Sequence, residues 1–135
     1  MTHMKKATTI AAVLLGLAFL TFGLNFFLQF LPVASPPEGT PAAAFMGALY
    51  TTGYLTFIKV LETLGGALVI LPQTRKVGLL LLGPVIVNIL AFHVFLTKGA
   101  GLADPVVLGT SALALFLLWA ETRTVVTALK NARQA

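Results

Sequence analysis

Four long apolar runs, separated by short stretches rich in proline, glycine or basic residues, leave this chain few ways to fold. They cover about residues 7–31, 44–71, 77–97 and 105–121, each near the ~20 residues a helix needs to cross ~30 Å of hydrocarbon. Within such a layer backbone N–H and C=O groups have no water to bond, so a run of this length is held as a helix. Short connections make successive helices antiparallel neighbours. The expected fold is all-α: a polytopic membrane protein built as an antiparallel four-helix transmembrane bundle, forming a single membrane domain over residues 1–135. Composition agrees. Apolar residues make up 58% and charged residues 10%, with a mean hydropathy of +0.96, whereas soluble domains run at about 45–50% and about 25%. The first run is far longer than the 7–15 residues of a signal-peptide core, so a retained helix is expected there.

The connections fix the boundaries. Pro32, Pro36, Pro37 and Pro41 with Gly39 form the longest loop, which carries Glu38 and no basic residue. Such a stretch cannot continue a helix. Pro72-Gln-Thr-Arg-Lys76 is a tight basic turn, residues 97–104 form a Gly-rich turn, and Pro105 suits the first position of the last helix. Among the nine Lys and Arg residues, Lys59 lies inside the second run. Lys5, Lys6, Arg75, Lys76, Arg123, Lys130 and Arg133 fall on one side of the expected membrane, and Lys98 alone falls on the other. The positive-inside rule then places both termini in the cytoplasm. The basic tail, residues 122–135, is expected as a helical extension in or just below the headgroups. It is a topology signal first and an anionic-lipid contact second. The net charge of +5 therefore points to lipid and topology rather than to nucleic acid.

Lys59 and Glu62 are the anomaly in this pattern. Each charge at the centre of a membrane helix costs roughly 2.5–3.5 kcal/mol. At i, i+3 the two side chains share a helical face and can pair. With ~1.5 Å rise per residue, Asn88 lies at the same depth, and Asn25, Tyr50, Tyr54 and His93 lie nearer the outer ends of their helices. The polar residues thus occupy one half of the expected bundle. This predicts an outward-facing pocket floored by the Lys59–Glu62 pair, with Asn25, Tyr54, Lys59, Glu62, Asn88 and His93 as ligand-binding candidates. On an ideal helix Asn88 and His93 stand about 140° apart, so both face the interior only if Pro84 distorts the third helix.

Each residue also has a plainer reading. The Lys–Glu pair can be a neutral tie between helices, and Asn25 and Asn88 can be interhelical hydrogen-bond partners. His93 can be interfacial, and Tyr50 and Tyr54 can belong to the aromatic belt. Phe19, Phe22, Phe26, Phe27 and Phe30 read as packing and lipid contact, and Trp119 as an interface anchor. Ala12, Gly16 and the Gly65-Gly66 pair read as surfaces for close helix approach. Cysteine is absent, which removes thiolate, iron–sulfur and cysteine–zinc chemistry. One membrane histidine and no paired carboxylates argue against a metal or haem site. No residue pattern identifies a catalytic group.

The stretches Gly23-Leu-Asn-Phe-Phe-Leu-Gln-Phe-Leu-Pro32, Gly53-Tyr-Leu with Lys59-Val-Leu-Glu62 and Gly65-Gly66, and Gly83-Pro-Val-Ile-Val-Asn-Ile-Leu-Ala-Phe-His93 resemble the DoxX family of small four-helix membrane proteins. The resemblance spans roughly residues 14–120. It implies a multi-pass protein of a bacterial or archaeal plasma membrane with a quinone-linked or redox-associated role, and carries no set of catalytic residues. The leading expectation is a subunit binding a quinone or other small amphiphile, with Lys59 contacting an oxygen and no covalent cofactor. The alternatives are a small proton-coupled transporter or exporter using Glu62, and a structural assembly partner of a membrane oxidoreductase. Membrane lipids, a second copy of the chain and a soluble redox protein are the partners these readings admit.

Overall fold

The computed structural model describes residues 2–134, and its elements are all helical. They are α1 (Thr2–Leu28), α2 (Pro41–Thr51), α3 (Tyr54–Ile70), α4 (Arg75–Ala91) with a terminal π-helical turn (Phe92–Leu96), and α5 (Pro105–Gln134). α1, α5 and the segment Arg75–Leu96 are each long and apolar enough to cross a membrane. The second run differs from the single span expected for residues 44–71. It is broken into α2 and α3, which meet at 83°. The physical reason lies in Tyr50-Thr-Thr-Gly53. The hydroxyls of Thr51 and Thr52 bond back to the carbonyls of Gly47 and Ala48, and Gly53 takes φ 79°. Only glycine adopts that left-handed conformation without steric cost, and it ends helices for that reason. α2 has its own start signal: Thr40 Oγ1 accepts from Ala43 N–H, with Pro41 at the first helical position.

α3 is the central helix, and its paired glycines make it so. Gly66 faces α1, where a Cβ would lie 2.9 Å from both Gly16 O and Leu20 N. Gly65 faces α4, where a Cβ would lie 2.7 Å from Leu82 Cδ2. Gly78 of α4 closes the second seam against the Val69 backbone, and Gly23 of α1 meets Thr63 further along the first. These contacts make α1 and α4 antiparallel to α3, with backbones as near as small residues permit. α5 packs on both α1 and α4. The buried core gathers Ala11, Ala12, Leu15 and Phe19 with Val69, Leu82, Val85, Ile86 and Leu117. It lies toward the end that carries the chain termini and Arg75, called the basic end below. Leu14, Leu17, Phe57, Leu64, Leu80, Val87 and Leu115 are exposed around the outside, an apolar perimeter suited to lipid.

The basic end is also closed by polar contacts. Arg75, expected as a topology signal in a surface turn, is 5% exposed. Its Nε and Nη2 donate to Val69 O and Ile70 O, its Nη1 reaches Glu121 Oε1 at 3.5 Å, and Thr74 Oγ1 donates to Leu68 O. One residue pair therefore satisfies the last carbonyls of α3, which would otherwise be orphaned, and Arg75 ties α5 to the α3–α4 turn.

Candidate functional site

At the other end the helices part. The first half of α3 carries Leu55, Thr56 and Lys59 toward a cavity of about 1390 Å³. α1 supplies Phe22, Asn25, Phe26 and Phe27, and the loop that follows supplies residues 29–36. α2 closes another wall with Ala43, Met46, Gly47, Tyr50 and Thr51, spaced along one face at helical period. The bend at Gly53 makes this possible, since a straight second helix could not lay that face across the end of α1. The aromatic rings interlock: Phe26 meets Phe27 edge-on at 5.1 Å and Tyr50 at 6.3 Å between centroids. Such pairs add to area burial and hold the walls in fixed orientation.

Lys59 Nζ lies 2.8 Å from Glu62 Oε2, so the pair expected from the i, i+3 spacing is made. The two partners are not equivalent. Glu62 is 4% exposed and shares the packed face of α3 with Leu55, Gly65, Gly66 and Val69. The Lys59 side chain keeps 21% exposure and forms part of the cavity wall. An ammonium has three donors. Glu62 takes one and cancels the charge, so the cavity receives a hydrogen-bond donor without a net cation.

The remaining expected residues divide. Asn25 borders the cavity, but both ends of its amide are used: Oδ1 accepts from Leu31 N–H at 2.7 Å and Nδ2 donates to Leu31 O. Its work is to reverse the chain after α1, where Gln29 takes φ 52°. Tyr54 lies outside the cavity lining, exposed, with its ring edge-on to Phe57 at 6.0 Å. Asn88 is exposed on α4 and is not among the residues that line the cavity. His93 turns to the 97–104 turn instead: Nδ1 lies 2.8 Å from Ala100 O. A carbonyl can only accept, so Nδ1 bears the proton. α4 stays α-helical through Ala91 and the π turn begins only at Phe92; His93, like Asn88, is not among the residues that line the cavity. The cavity's other polar groups are Gln29, Ser35, Thr51 and Thr56. Of these Thr56 was legible, standing one turn before Lys59. Phe22, Phe26, Phe27 and Phe30, read as packing and lipid contact, are cavity wall; single rings in an apolar run carry no mark that separates the two roles.

Among the described residues no group of three or more His, Asp or Glu stands close enough to hold a metal ion. No family model, curated protein or solved structure matches the chain.

Proposed function

We propose that this chain is a DoxX-type multi-pass protein of a bacterial or archaeal plasma membrane, and that it binds a small planar amphiphile of the quinone class. In this reading α1, α3, α4 and α5 form the antiparallel transmembrane bundle, both termini are cytoplasmic, and the cavity opens toward the outer side. The observation that carries the proposal is the aromatic-walled cavity ending on a charge-neutralised lysine. Ligand sites are concave and mostly apolar, with few placed polar groups, and this one offers flat aromatic walls, the charge-neutralised donor of Lys59 and the neutral polar groups of Gln29, Ser35, Thr51 and Thr56. A neutral carbonyl oxygen suits such a donor. A carboxylate or phosphate would bring a net charge that the Glu62 carboxylate repels. In a redox process, the pair would also give a reduced ring a place to exchange a proton.

The test is mass spectrometry of the small molecules retained by protein extracted in a mild detergent. Wild type should carry a neutral lipid-soluble carbonyl compound, and Lys59→Met or Phe26→Ala should lose it while eluting at the same size. Wild-type protein that retains none, and binds none after reconstitution with quinone, would remove the proposal.

A further inference from the structure

α5 is longer than its packing requires. It continues unbroken from Pro105 to Gln134, and every side chain over residues 122–134 is exposed. Its core side is accounted for by Leu113, Ala114, Phe116 and Leu117. A second seam runs down another side: Leu108, Ser111, Leu115, Leu118, Thr122, Val125, Leu129 and Ala132, at alternating three- and four-residue steps, six of them apolar and two, Ser111 and Thr122, small hydroxyl residues. That is the a/d spacing of a coiled coil sustained along the helix, a supercoil period rather than the 3.6-residue stripe of a helix lying on a surface. Leu108, Leu115, Leu118 and Leu129 are each more than half exposed.

Two observations choose the occupant. Lying on a lipid surface would require α5 to turn near Glu121, and sharp bends arise at proline, glycine pairs or π-bulges. None follows Gly109, and the helix is continuous there. The charges, too, stay off the seam itself, with Arg133 flanking it beside Ala132. Arg123 and Lys130 occupy positions beside the off-seam Thr127, and the Arg123 guanidinium sits 4.9 Å over the Trp119 ring. A like-charged copy can therefore approach along the seam without setting lysine or arginine at its centre. We infer that α5 pairs with α5 of a second copy of this chain, in parallel and in register, through Leu115, Leu118, Thr122, Val125, Leu129 and Ala132. The inference rests on the membrane topology proposed above, which gives both copies one orientation, and is independent of what the cavity binds.

The absence of cysteine makes the test direct. Single variants Val125→Cys, Leu129→Cys and Thr127→Cys of the full chain are oxidised in membranes, and disulfide-linked dimer is read on a non-reducing gel. The seam positions should give dimer several-fold above Thr127→Cys, and adding Leu129→Asp to Val125→Cys should abolish it. Equal linkage at all three positions, or none at any, overturns the inference. So does quenching of a label at Val125 by spin-labelled lipid, the mark of a helix lying on the bilayer. Elution of the single-cysteine variants at the wild-type size under reduction, and of the Leu129→Asp variant as one sharp peak at half that mass, shows that the fold is retained.

Discussion

The two ends of this molecule are built from the same apolar helices and reach opposite results. At the basic end, Gly16, Gly65, Gly66 and Gly78 bring three backbones together, and Leu15, Val69, Leu82 and Leu117 are fully buried. At the cavity end, past the Gly23–Thr63 contact, the rings of Phe26 and Phe27 and the loop after α1 line an open space, and α2 bends away from the α3 axis at Gly53. Small residues on α1 close the seam with α3, and the bend between α2 and α3 leaves the other end open. The ion pairs follow suit. Arg75 and Glu121 are enclosed by protein with side-chain exposures of 6% and 17%, whereas Lys59 opens onto a cavity. A tight end that carries stability and a loose end proposed to carry binding should respond differently to substitution.

The largest effect should come from Arg75→Leu. Breaking a buried pair costs about 3–5 kcal/mol, and here the Val69 and Ile70 carbonyls lose their donors as well. Trp119, the single tryptophan, reports unfolding in detergent; a variant as stable as wild type would mean that the basic end is not the clamp. Next is Gly66→Val, whose branched side chain meets the Gly16 carbonyl and the Leu20 amide. Overpacking of this kind costs about 1–3 kcal/mol. Its partner experiment is Gly47→Val at the cavity, where a Cβ meets nothing within 4 Å. That change should leave stability within about 0.5 kcal/mol of wild type and lower ligand retention. Equal losses for the two glycines would erase the distinction between the ends.

Lys59 and Glu62 sharpen the comparison further. Lys59→Met strands a carboxylate on the packed face of α3, and a buried group left without its partner costs about 1–3 kcal/mol. Glu62→Gln leaves an ammonium that can turn into the cavity and find water, so its cost should be the smaller of the two. Thermal unfolding of the two variants under the same detergent decides the order. The reverse order would place Lys59, not Glu62, in the dry part of the structure.

What could be read from the residues alone divides along the same line. Helical class, the close approach at Ala12, Gly16, Gly65 and Gly66, and the Lys59–Glu62 contact all depend on spacing within one helix or on side-chain size, which a sequence displays. The burial of Arg75 against Glu121 did not show, because it depends on which helix ends meet in space. Asn88 and His93 were assigned inward by depth. Depth fixes height along a helix but not azimuth, and Asn88 stands on an exposed face of α4. Tyr50-Thr-Thr-Gly53 did carry a stop signal, obscured by the hydropathy of the run around it.

That stop signal supplies the most specific test. Gly53 holds φ 79° with no heavy atom within 4 Å of where a Cβ would stand, so Gly53→Ala meets conformational strain without a steric clash. An L-residue in the left-handed region costs roughly 1–2 kcal/mol, and the chain can recover it by straightening the α2–α3 junction. Straightening would draw Met46, Gly47 and Tyr50 away from Phe26 and open the cavity wall that they form. Gly53→Ala should therefore lower stability by about 1 kcal/mol or less, a change much smaller than that of Gly66→Val, yet weaken ligand retention as strongly as Phe26→Ala. Gly53→Asn separates the causes, because asparagine tolerates the left-handed conformation better than alanine. Retention restored by asparagine but not by alanine assigns the effect to the bend. Retention unchanged in both would mean that α2 is not a wall of the site, and the loose end would lose its defining feature.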